Sequence, residues 1–222
     1  MTRPTLLPDH EMVSPPTLRP TNRKRKRLTL VELAPEARGA IFRAAVTVIG
    51  EHGYRDASIA RITAVAGIAH GTFYLYFKSR QALFDELLPY VGHELVMFIR
   101  DRVTGAKDIF DVEERGFRAI FEYMGDNPGF FRVINEAELE APTAFKKHFE
   151  LLIQHYIESL ERGVIDGQIK MFDRSELEAV AYVFMSARNY LYLRYAKNSN
   201  GSKALPEDVV QTYLKLVRHG LR

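Results

Sequence analysis

Residues 67–79 read GIAHGTFYLYFKS, with two tyrosines, two phenylalanines, two glycines, a threonine, a histidine and a lysine in thirteen positions. These side chains suit contact with a polyanion. The hydroxyls of Tyr74 and Tyr76 can donate to phosphate oxygens, and Lys78 supplies a cation beside them. Thr72 offers a hydroxyl and a methyl to a base edge, and His70 suits a base edge or a phosphate. Gly71 leaves room for a nucleic-acid backbone to come close. Just upstream, Ser58 and Arg61 stand three apart, where a cap and a cation serve the start of one helix. A second cluster is Arg23, Lys24, Arg25, Lys26 and Arg27. Five consecutive cations suit an arm that tracks phosphates or enters the minor groove, and equally suit a solvated charge run.

The elements that must position these residues are legible from periodicity. Residues 1–33 carry five prolines before residue 23 and no helical period, which predicts a disordered arm. A first helix is predicted from Pro35, with Ile41, Ala44, Ala45, Val48 and Ile49 on one face and Gly53 as its stop. Ser58 caps a second, carrying Ile59, Ile62, Val65 and Ala66. Gly67 permits a left-handed turn, and a short third helix is predicted over 70–77. Phe73 and Phe77, four apart, are expected to face inward with Ile62, Val65 and Ile68. The residue before the third helix, Ala69, cannot cap it, which leaves helix N–H groups for a DNA phosphate. Two short helices joined by a glycine turn, over a third, form a helix-turn-helix whose second helix enters the major groove. Longer helices are predicted over 80–103 (kinked at Pro89 and Gly92), 109–125, 143–166, 175–197 and 206–220, with a short one opening at Asn127-Pro128. The reading is all-α.

Charge divides the chain in the same way. Residues 1–80 hold 13 Lys/Arg and 6 Asp/Glu, whereas the remainder holds 18 and 22, so only the front is built to meet a polyanion. With no cysteine among 222 residues, disulfides and thiolate metal sites are excluded. No apolar run reaches the roughly 18–20 residues of a membrane span, and the expected location is cytoplasmic. His148 and His155 lie seven apart, about 10–11 Å along a helix, too far to share a metal ion. No Gly-rich phosphate loop, serine elbow or HExxH pattern is present, so neither an enzyme nor a cofactor is expected.

Residues 44–87 resemble the DNA-binding region of the TetR family of bacterial transcriptional regulators. The matching positions are Gly53, Tyr54, Ser58, Ile59, Ala60, Ala66, Gly67, Gly71, Tyr74, Tyr76, Phe77, Lys78, Ser79 and Leu83. Two positions depart from the pattern. Arg61 stands where an acidic residue commonly completes a capping box, and Ala69 where Ser or Thr is common. The resemblance implies an N-terminal three-helix DNA-binding domain over 34–80. It further implies a C-terminal helical bundle over 81–222 that dimerises through its last two helices and encloses a small-molecule cavity.

An effector site should be mostly apolar with a few convergent polar groups. Phe121, Met124, Phe131, Phe149, Phe184 and Met185 supply the bulk, and Arg132, Asn135, His155, Arg188 and Asn189 are polar residues set within apolar runs. Arg188, inside YVFMSARNYLYL, needs an acid such as Glu136 or Glu138, a partner chain or an anionic ligand. The expected protein is a homodimeric repressor of double-stranded DNA, released by a hydrophobic or aromatic, anionic small molecule. The alternative is an effector-independent DNA binder controlled by a protein partner.

Overall fold

A computed structural model describes residues 30–197 and 205–221, with side chains from residue 36 onward. The run of cations from Arg23 to Arg27 lies outside the described residues. Nine α-helices follow one another there: α1 (Leu30–Asp56), α2 (Ile59–Ala66), α3 (His70–Phe73), α4 (Arg80–Val103), α5 (Ile109–Asp126), α6 (Phe130–Glu140), α7 (Pro142–Ile165), α8 (Leu177–Leu191) and α9 (Glu207–Leu221). The fold is all-α, an N-terminal helix-turn-helix unit followed by a helical domain. None of these helices is long and apolar enough to cross a membrane.

The first unit forms because three helices each bury one stripe. Ile41, Phe42, Ala45, Val48 and Ile49 of α1 meet Ile62 of α2, Phe73 of α3 and Phe77 in one core. Phe42 and Phe77 meet edge to face at 5.3 Å. Gly67 ends α2 in the left-handed region (φ 68°), so the Gly67 and Ile68 N–H groups close onto the carbonyls of Ala64 and Thr63. Val65 differs from expectation. It is 54% exposed, because the buried face of α2 runs through Ile62 and Thr63 instead.

Other boundaries differ locally. α1 begins at Leu30, ahead of Pro35, and Gly53 (φ 82°, ψ 166°) kinks the chain without ending the element, which runs to Asp56. α3 is a single turn, and residues 74–76 continue as turns held by bonds from Leu75 and Tyr76 to the carbonyls of Thr72 and Phe73. The segment predicted as one helix over 175–197 divides into a 3-10 turn (Arg174–Glu176), α8 and a π turn (Tyr192–Ala196).

α4 belongs to both halves. Ser79 caps it, accepting the Ala82 N–H at 3.1 Å. Its first turns bury Leu83, Phe84 and Leu87, with Phe84 edge-on to Tyr54 at 4.7 Å. Past Pro89 it packs against α5 and α7. α6 crosses α1 where Gly50 meets Gly129; a Cβ on Gly50 would stand 2.5 Å from the Gly129 Cα, so only glycine permits this approach. The bundle core is aromatic, with Phe117 of α5 stacked on Tyr213 of α9 at 4.0 Å.

Candidate nucleic-acid interface and effector cavity

The helix-turn-helix presents its polar residues outward. Ser58, Arg61, Ala69, His70, Gly71, Tyr74 and Lys78 are exposed, whereas Thr72 and Tyr76 are half-buried. Part of this set is engaged locally. The Ser58 hydroxyl oxygen accepts the Arg61 N–H at 3.3 Å, and the Arg61 guanidinium donates to the Asp56 carbonyl at 3.3 Å, bridging α2 to the end of α1. Tyr74 rests edge-on against His70 and Phe73 at 5.7 and 5.4 Å, which aims its ring along the surface of α3. Tyr76 instead packs its ring on the core. Ala69 precedes α3 with no side-chain cap. Gly71 has nothing within 4 Å of where a Cβ would stand, so the fold itself does not require a glycine there. Leu75, 65% exposed, lies beside these residues and escaped the sequence reading; an apolar residue inside an aromatic run looks like core.

The helical domain holds a cavity of about 580 Å³ between α4, α5, α7 and α8. This is the size of a single small-ligand site. Leu95, Val96 and Ile99 of α4, Val112 and Ile120 of α5 and Leu152 of α7 form its apolar wall. Of the residues expected here, His155, Met185 and Arg188 line it. His155 Nδ1 lies 2.8 Å from the Leu151 carbonyl oxygen, its partner one turn back. Three exposed cations, Arg100, Lys107 and Arg162, stand on the same wall with Asp108, Glu158 and Asp166.

The remaining expected ligand residues lie off that wall. Phe121 packs on Phe117 at 5.0 Å, Met124 is buried, and Phe184 sits behind Tyr156 at 6.3 Å. Phe131 packs tilted against Tyr192 at 4.3 Å and Phe149 against Phe145 at 4.5 Å. Asn135 donates to the Phe131 carbonyl, and Asn189 is exposed. Arg132 pairs with Glu136 at 2.5 Å and reaches the carbonyl of Glu51 in α1. Arg188 therefore does not take Glu136 or Glu138. Its partner is Glu113 of α5 at 2.5 Å, with both side chains buried. Burial disfavours the Arg188 charge, but the Glu113 carboxylate and two tyrosines outweigh it and hold the guanidinium above its ordinary pKa.

Residues 41–87 match the family model of bacterial regulatory proteins of the tetR family. A fatty acid metabolism regulator protein of Bacillus subtilis (strain 168) is 27% identical over 139 residues, covering 59% of this chain and 69% of that one. Two solved structures share the fold. The fatty acid degradation regulator FadR of Bacillus halodurans aligns with a TM-score of 0.68 at 21% identity, over 84% of this chain and 96% of that one. The transcriptional regulator FadR of Bacillus subtilis, in complex with stearoyl-CoA, aligns at 0.69 and 18% identity, over 83% and 99%.

Proposed function

We propose that this chain, whose N-terminal segment is that of the tetR family of bacterial transcriptional regulators, is a ligand-released repressor that binds a palindromic operator as a homodimer. One observation carries the reading. α4 starts immediately behind the DNA-facing residues, with Leu83, Phe84 and Leu87 in their core, and its far end forms a cavity wall through Leu95, Val96 and Ile99. A ligand that displaces the far end moves the near end. A coupling of about 1–3 kcal/mol changes DNA affinity 5- to 150-fold.

The wall supports one class of effector. An apolar cavity with Arg100, Lys107 and Arg162 at its exposed rim, interleaved with Asp108, Glu158 and Asp166, has room for a long acyl chain inside and cations within reach of an anionic headgroup outside. A long-chain acyl thioester of coenzyme A has this form, and a FadR of the same fold has been solved with stearoyl-CoA. Arg132, engaged by Glu136, contributes nothing to such a site. Dimerisation is supported by Tyr182, Val183 and Tyr190 on α8 and Leu216 on α9, large apolar side chains left exposed on the last two helices.

The test is binding of the purified protein to DNA from upstream of its own coding sequence, followed by fluorescence anisotropy, with stearoyl-CoA added. Release at micromolar thioester is expected. Tight, salt-dependent DNA binding indifferent to thioesters would favour control by a protein partner instead.

A further inference from the structure

The cavity is not apolar throughout. Glu113 and Arg188, 5% and 6% exposed, stand on its wall together with Tyr156. Glu113 Oε1 accepts from Arg188 Nη2 and from the Tyr213 hydroxyl, each at 2.5 Å. Its Oε2 accepts from the Tyr156 hydroxyl at 2.5 Å, and Arg188 Nη2 also donates to that hydroxyl oxygen at 2.8 Å. Burial pushes both tyrosines well above their ordinary pKa, so they remain neutral donors. The four side chains thus form a buried network with no net charge.

The donors and acceptors of this network do not balance. A guanidinium has five N–H groups. The bonds of Arg188 to described residues all leave from Nη2. Its Nε is buried without a partner. On the acceptor side, both Glu113 oxygens are occupied. At the Arg188 end of the wall the guanidinium therefore keeps its Nε hydrogen unused, while both Glu113 oxygens are engaged.

We infer that Arg188 selects an effector with a neutral acceptor oxygen, a hydroxyl or keto group, on the part that enters the cavity. The inference rests on the cavity being the thioester site proposed above, and narrows its occupant from a plain acyl chain to an oxygenated one. The acceptor is neutral because Glu113 already balances the guanidinium, and a second carboxylate would face the first. An alkyl chain against the same wall leaves the guanidinium without a further acceptor, which is the arrangement by which proteins reject analogues lacking a polar group.

The experiment compares dissociation constants, by calorimetry on the full chain, for stearoyl-CoA and for hydroxy- and ketostearoyl-CoA isomers with the oxygen moved along the chain. At least one isomer is expected to bind about tenfold or more tightly than stearoyl-CoA. That ratio is expected to fall toward one in Arg188→Lys, which keeps a cation beside Glu113 but loses the guanidinium donors. The double variant Arg188→Met with Glu113→Gln, which leaves no unpaired buried charge, gives the same readout should the lysine variant not fold. Equal affinity of stearoyl-CoA and every isomer overturns the inference and leaves the thioester reading standing. A preference that survives both variants overturns the role of Arg188. Failure of every thioester to bind overturns both readings.

Discussion

Glu136 Oε2 accepts the backbone N–H of Tyr54 at 2.9 Å, tying α6 of the helical domain to the kink inside the last turns of α1. Its other oxygen holds Arg132, whose Nη1 reaches back to the Glu51 carbonyl. One ion pair thus satisfies a donor and an acceptor freed where Gly53 breaks the helical ladder. Gly53 suits the place twice over, since a Cβ there would also stand 2.6 Å from the Arg132 guanidinium.

Glu136→Ala leaves the Tyr54 N–H and the Arg132 guanidinium without their partner. A stability loss of about 1–3 kcal/mol is expected in urea denaturation. Glu136→Gln, which keeps an acceptor for Tyr54, is expected to recover part of it. Equal losses in the two variants would show that the ion pair with Arg132, and not the bond to Tyr54, carries the effect.

Gly71→Ala separates folding from DNA contact. The position is exposed, open where a Cβ would stand, and inside α3, so alanine should leave stability unchanged or raise it by up to about 1 kcal/mol. Operator affinity is expected to fall about tenfold, the size of one lost contact. A methyl tolerated in both assays would mean that the DNA backbone does not approach this residue.

His148 sets an acid limit on the fold. It is fully buried beside Gly92 of α4, and its ring nitrogens make no hydrogen bond of good geometry, the Leu88 carbonyl bearing on them only weakly. Burial pushes its pKa down from 6.5 to about 4, with the Leu88 carbonyl offsetting only part of this. The unfolded chain therefore binds a proton that the folded chain refuses. The contribution is intact above pH 6.5 and lost as the pH falls through that value toward 4, by about 3 kcal/mol in total. Stability curves at pH 7 and pH 4 should converge in His148→Leu relative to wild type; an unchanged pH dependence would place the acid sensitivity elsewhere.

The helix-turn-helix unit was legible because its signals are local. Ser58 and Gly67 mark the ends of one helix, Phe73 and Phe77 share an inward face, and Ser79 marks the start of α4 at the expected residue. The cavity was less legible because nothing near Glu113 in the sequence distinguishes it from the acids of a solvated helix face. Its burial comes from Arg188 and Tyr213, 75 and 100 residues away. Aromatic bulk misleads for a related reason. Phe121 and Phe184 fill the core, while the apolar cavity wall is mainly aliphatic, from Leu95 to Leu152.

Pro89 stands where α4 passes from one half to the other. Without an N–H it cannot bond to the Asp85 carbonyl, and its ring crowds that turn, so the helix is weakened there. Leu83, Phe84 and Leu87 before it are held in the helix-turn-helix core, while Leu95 and Ile99 beyond it line the cavity. A joint at this position would let the two ends of α4 move by different amounts. Pro89→Ala restores the missing bond and stiffens the connection. Operator binding by the free protein should persist, while the loss of affinity caused by stearoyl-CoA changes by about 0.5–2 kcal/mol. The comparison is made by anisotropy titration with and without the thioester. If the two proteins release DNA at the same thioester concentration and to the same extent, the joint plays no part in coupling, and α4 moves as a rigid rod.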